Sequence, residues 1–146
     1  MGSTVKLAND LYLETSSIVH NGELLSDILN IQEIPINFNM DYIYSSDLDY
    51  ICVKIGKLVI LNIHTIAFKQ EVPTNGQMLI NQLPIHNKGN AGIIFYLYGG
   101  GINASGKTLR LALTQYGNIQ THWSSDIIYG DSANTQYSGI LIYKAK

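Results

Sequence analysis

The sequence predicts an all-β protein: an antiparallel β-sandwich or barrel, jelly-roll-like, with a short helical segment near the N-terminus. Three observations predict it. Short apolar, β-branched runs recur along the chain, separated by Gly-, Pro- and Asn-containing turn signals at roughly 8–12-residue spacing, the pattern of sandwiches and barrels. Several runs alternate apolar and polar residues with period two, as in 34–41 and 109–114. Helical spacing of apolar residues is confined to 21–29.

Residues 4–20 carry weak periodicity, with Leu11-Tyr12-Leu13 a candidate short strand. Asn21 is a candidate helix cap, Glu23 falls in the first turn, and Leu24, Leu25, Ile28 and Leu29 pair at i,i+4. A helix of that length is marginal alone and must dock, either on the β domain or on copies of itself as a neck. From Ile34 to Met40 apolar residues alternate with polar ones, predicting a half-buried strand with Pro35 at its start or on an edge. The boundaries that follow are 1–33 for a neck or linker and 34–146 for a β head.

The nucleus of the head is the run 51–63, Ile-Cys-Val-Lys-Ile-Gly-Lys-Leu-Val-Ile-Leu-Asn-Ile. Gly56-Lys57 suits a type II′ hairpin, since glycine takes φ > 0 without a Cβ clash. Leu58, Val59, Ile60, Leu61 and Ile63 occupy both faces of the second arm. One face of an antiparallel sheet usually meets water, so this strand is expected between two layers or at a subunit contact. Beyond it, Pro73-Thr74-Asn75-Gly76 is a turn, 78–83 a strand ended by Pro84, and 86–91 a polar loop. Strands are expected at 92–98, 109–114 and 119–123, and the last at 137–143.

The charge balance excludes several function classes. Charged residues are 14% of the chain and the net charge is −2, so composition draws it neither to nucleic acid nor to an anionic membrane. No run approaches the ~18–20 apolar residues of a membrane helix, and no signal-peptide pattern opens the sequence. The single cysteine, Cys52, precludes an internal disulfide and reads as a buried thiol. Ten tyrosines against three phenylalanines suit a binding surface that is flat and edged with hydroxyls, and they also suit strands.

Residues 101–108 fit the P-loop pattern G-x-x-x-x-G-K-[ST], ending in Gly106-Lys107-Thr108. A P-loop must open a helix onto the phosphates, whereas the residues after Thr108 alternate as a strand and meet Gly117. The stretch 99–106 is therefore read as a glycine-rich loop between antiparallel strands. His20, His64, His86 and His122 show no metal-ligand spacing, so no metal or other cofactor is expected. No nucleophile elbow is present, and catalysis is not indicated. Asp126 and Asp131 are the carboxylates a saccharide depolymerase would use, though loop aspartates more often cap turns.

The better candidate is a surface that grips polar rings. Sugars present a C–H face and a rim of hydroxyls, which an aromatic beside Asp, Asn, His or Arg complements. Tyr116, Asn118, His122, Trp123, Asp126, Asp131 and Tyr137 cluster in sequence around two turns. Trp123 either stacks on a ligand or caps the core, and Arg110 either meets solvent or fixes an acidic ligand bidentately.

Four segments in order carry a resemblance: "VKIGKLVILNIHTI" (53–66), "PTNGQMLINQLP" (73–84), "LRLALTQYGNIQ" (109–120) and "SGILIYKAK" (138–146). In this order they resemble the C-terminal head modules of bacteriophage tail-fibre and baseplate receptor-binding proteins, and "DLYLETSSIVHNGELLSDILN" (10–30) is similar to the neck before such heads. The resemblance implies a homotrimer at the tail tip of a virion that binds a host cell-surface glycan without catalysis. It implies contacts to other tail or baseplate proteins through the N-terminal segment, and it points to Arg110, His122, Trp123, Asp126 and Asp131 as site residues. A structural trimer module without a ligand is the alternative. The closing "SGILIY" is also similar to complement-type and tumour-necrosis-factor-like jelly rolls, which are trimeric as well.

Overall fold

The computed structural model describes residues 31–124 and 127–146, together with the backbone of two short strands, β1 (Val19–His20) and β2 (Glu23–Leu24), which pair antiparallel. Glu23 and Leu24 are thus extended where helical spacing had predicted a first turn; the rest of the expected helix lies outside the described residues.

All other strands join one antiparallel, nine-stranded sheet. In chain order these are β3 (Ile31–Glu33), β4 (Asn37–Phe38), β5 (Asp49–Ile55), β6 (Leu58–Ala67), β7 (Met78–Asn81), β8 (Ile93–Gly100), β9 (Thr108–Leu113), β10 (Ile119–Thr121) and β11 (Gln136–Lys144). Their spatial order is β3-β5-β6-β11-β8-β9-β10-β7-β4. The two edge strands, β3 and β4, are consecutive in the chain with three residues between them, so the sheet curls until its ends stand next to each other. Phe38 of β4 packs on Tyr50 of β5 across that seam, ring centroids 4.7 Å apart. The core fills the inside of the curl.

Of the strand predicted from Ile34 to Met40, only Asn37–Phe38 joins the sheet, as β4. Pro35 has no N–H for a ladder and sits between β3 and β4, while Ile34 N–H still donates to the Cys52 carbonyl at 2.9 Å. Ile31–Glu33 also joins the sheet, ahead of the boundary expected at residue 34. The β5–β6 hairpin forms as its sequence demands: Gly56 has φ +58°, while among the described residues only Gln82 and Trp123 are non-glycines with positive φ. Those two residues also explain why β7 and β10 end sooner than the apolar runs suggest, since a left-handed residue leaves the extended ladder.

β11, the last strand in sequence, occupies the middle of the sheet. It pairs with β6 along its whole length but with β8 only over Gln136, Tyr137 and Ser138. Further on, residues 85–87 take up that edge: Asn87 N–H donates to the Lys144 carbonyl and Lys146 N–H to the Ile85 carbonyl. Alternation along the strands sends Leu61, Ile63, Leu97, Leu109, Leu111, Tyr137 and Leu141 inward. Tyr137 is 1% exposed; its ring meets Phe68 edge-on at 6.0 Å and its hydroxyl accepts the Ile128 N–H at 3.1 Å.

The loop with the P-loop pattern is a connection between antiparallel strands. A single helical turn, α1 (Gly101–Ala104), precedes Lys107, and Thr108 begins β9 rather than a helix. A phosphate cradle requires the helix after the lysine. Among the described residues no helix is long and apolar enough to cross a membrane.

Burial raises the pKa of three acidic side chains of the core, Tyr137 least and Cys52 and Tyr143 most. It pushes the Cys52 thiol from its ordinary 9.0 up to about 11. The Tyr143 phenol is raised by burial and further by the neighbouring Cys52. Both are neutral when folded and more easily ionised when unfolded, so their contribution to stability is whole below about pH 9 and is lost as pH rises through the folded values. Thermal unfolding followed between pH 7 and 11 is expected to show a falling midpoint above pH 9, with a shallower fall in Cys52→Ala. An unchanged slope in that variant would show that the thiol does not contribute.

Candidate functional site

The outer face of β8, β9 and β10 carries the candidate site, and the register of these strands builds it. Tyr96 stands opposite Arg110, whose carbonyl accepts the His122 N–H at 3.1 Å, making one row across the three strands. The next row is Ile94, Ala112 and Gln120. Ala112 is buried although it points outward, because it forms the floor of a groove of about 460 Å3. Asn90, Thr114, Gln115, Tyr116, Asn118, Gln120 and His122 supply its polar lining, with Ile94 and Gly92 between them. That volume falls within the range of small-molecule sites.

A tight turn raises Tyr116 over the groove. The Thr114 hydroxyl accepts from the N–H groups of Tyr116 and Asn118, both at 3.3 Å, and the Thr114 N–H donates to the Asn118 carbonyl at 2.8 Å. Gly117 takes φ +77° and lies so close to Leu83 that its carbonyl accepts the Leu83 N–H at 3.0 Å. A side chain at 117 would overlap the Leu83 carbonyl oxygen. The turn is thereby pinned, and Tyr116 is left 72% exposed.

Among the described residues no carboxylate, guanidinium or ammonium lines the groove. Its polar groups are amides, a hydroxyl, a phenol and an imidazole, all able to donate or accept hydrogen bonds without carrying a fixed charge. Arg110 adjoins the groove in the next row without lining it. Its Nε and the Nδ1 of His122 are buried with no hydrogen-bond partner among the described residues, an unmet polar capacity beneath the outer face.

Trp123, two residues past β10, takes a left-handed conformation, φ +48°, and is 70% exposed. Its backbone N–H donates to Asn75 Oδ1 at 3.2 Å, and the next residue, Ser124, donates its N–H to the Thr74 carbonyl. The Ser124 hydroxyl also donates to the Arg110 carbonyl at 2.7 Å. Of its two sequence readings the core cap is therefore overturned: the side chain stands in solvent, and the backbone of 123–124 is held by the 74–75 turn. Positive φ in a bulky residue costs about 1–2 kcal/mol, a strain that surrounding bonds must impose.

The remaining sequence candidates lie elsewhere. Tyr137 is a core residue and reaches no surface ligand. Asp131 caps a 3₁₀ turn (Ser132–Asn134), accepting from the Ala133 N–H and from the Asn134 side-chain amide. That turn packs against α1, at the end of β8 opposite the groove. Asp126 lies outside the described residues. Sequence reasoning missed Asn90, Thr114, Gln115 and Gln120. The outward parity of Gln120 and His122 after "QYGN" is the signal that would have found Gln120.

A second groove, about 420 Å3, runs beside Pro35 along β3 and β5, lined by Glu33, Ile34, Tyr50, Ile51 and Cys52. Glu33 is its one charged side chain among the described residues. Among the described residues no group of three His, Cys, Asp or Glu side chains is placed to hold a metal ion. No protein-family model matches this chain, and no curated protein matches it.

Proposed function

We propose that the chain is a non-enzymatic saccharide-binding head, the host-recognition domain of a bacteriophage tail, acting as a homotrimer on the virion. The observation that carries the binding reading is the uncharged groove on β8–β10 with Tyr116 standing over it. A neutral sugar ring presents one apolar face to an aromatic and a rim of hydroxyls to amides and imidazole, and the lining supplies those partners. Trp123, exposed just past the other end of β10, offers a second aromatic for a longer glycan. The phage assignment rests on the ordered sequence resemblance, and the exposed apolar strand face described below favours assembly into an oligomer.

The test is retention of the labelled protein on isolated cell walls from a panel of bacteria, followed by a glycan array. Strain-selective retention is expected. Tyr116→Ala should weaken binding about tenfold, since loss of a stacking aromatic costs roughly 1.5 kcal/mol. His122→Gln, which keeps a polar group, should weaken it less. Retention by no strain would overturn host recognition, and retention unaffected by Tyr116→Ala would move the site away from the groove.

A further inference from the structure

The register of β3, β5, β6 and β11 aligns a second outward surface. Ile31, Ile55 and Leu58 stand in one row with Lys144; Val53, Ile60 and Ile142 follow in the next with Glu33. Ile51, Asn62 and Ile140 make a third row, and the Asp49–His64 pair, 3.1 Å apart, marks the polar border. An antiparallel sheet with one open face normally makes that face polar. Here Ile31, Ile51, Leu58, Ile140 and Ile142 are each 42–65% exposed, and Tyr96 and Tyr98 continue the surface onto β8. At ~150–200 Å2 per large side chain, the exposed apolar area is on the order of 600 Å2. That is the upper end for the largest patch on a monomer, and with its polar rim it approaches the ~800 Å2 per partner of a standard interface.

We infer that this face is where copies of the chain associate with one another. The charge pattern selects a second copy as the occupant. The centre of the face is uncharged; its acid, Glu33, stands on the β3 side and its base, Lys144, on the β11 side. Both are exposed, and neither forms an ion pair among the described residues. A two-fold axis along the strands, or a ring with this face turned to its axis, brings the β3 side of one copy to the β11 side of the next. Acid then meets base on each contact, and isoleucine meets isoleucine between them. The inward-and-outward apolar pattern of 58–63 follows from this arrangement: one set fills the core and the other the junction.

The experiment is molar mass by light scattering across a hundredfold range of concentration, on the full chain. The expected result is a small multiple of 16.2 kDa for the wild type and 16.2 kDa for an Ile140→Lys/Ile142→Lys variant with unchanged far-ultraviolet dichroism. Should that variant misfold, charge exchange decides: Glu33→Lys and Lys144→Glu singly should weaken association a few-fold, and together restore it. A monomeric wild type throughout, or an oligomer indifferent to both sets of substitutions, would overturn the assignment. A dimer would support the face while removing the trimer proposed above. Glycan retention through Tyr116 is read separately, so loss of binding and loss of association are told apart.

Discussion

Replacing Tyr137 by alanine is expected to lower the thermal unfolding midpoint by about 10–15 °C, with the groove on β8–β10 intact in whatever protein remains folded. The ring is 1% exposed, packs edge-on against Phe68, and lies at the one place where β11 touches both β6 and β8. Deleting a buried aromatic costs about 3–5 kcal/mol, and a protein of this size loses about 2–4 °C per kcal/mol. Tyr137→Phe keeps the ring but leaves the Ile128 N–H without its acceptor, a loss nearer 1–2 kcal/mol. The order wild type, Phe, Ala in melting temperature is the measurement. Equal binding per folded molecule in all three would establish a structural role, and a binding defect in Tyr137→Phe without a stability change would refute it.

Gly117→Ala is expected to damage fold and groove together. Any Cβ there overlaps the Leu83 carbonyl oxygen, and the backbone sits at φ +77°. Left-handed strain of about 1–2 kcal/mol adds to the displacement of Leu83, for a total of roughly 3 kcal/mol and a midpoint about 6–12 °C lower. Because Tyr116 and Asn118 flank this residue, the groove wall should shift as well, and glycan retention should fall further than unfolding accounts for. Gly76→Ala is the control. It shares positive φ, +79°, but a Cβ there meets nothing within 4 Å, so only the conformational cost remains. Equal losses from the two glycines would mean that the approach to Leu83 is unimportant.

Much of the fold was legible because its signals are local. Gly56-Lys57 between β-branched arms names a hairpin, and Leu109, Leu111 and Leu113 name an inward face. Clear alternation could not reveal that Pro35 falls in the gap between two edge strands at the seam, since which strands meet there depends on residues far apart in sequence. Nor could it tell that β11 inserts between β6 and β8. At the site, Tyr116, His122 and Arg110 were found as residue types beside a turn and do share one face. Tyr137 was included on sequence proximity, and Asp131 on proximity and on its residue type. The chain turns between Trp123 and Gln136, so neighbours in sequence part: one caps a turn at the far end of the hairpin, the other enters the core. Asn90 and Gln120 escaped notice because an amide in a loop or on a strand has no distinctive pattern until register aligns it.

The central position of β11 has a consequence for the order of events during synthesis. The β5–β6 hairpin can pair as soon as its residues leave the ribosome, and so can β8 with β9, because each is joined by a short loop. These two halves share no ladder until residues 136–144 arrive, roughly 75 positions after the β6 partners they must find. Throughout that interval the inward edges of β6 and β8 stand open, with their leucines and isoleucines unburied. A nascent chain stalled before Gln136 should therefore be protease-sensitive and should recruit chaperones, whereas release of the final strand joins the halves in a single late step.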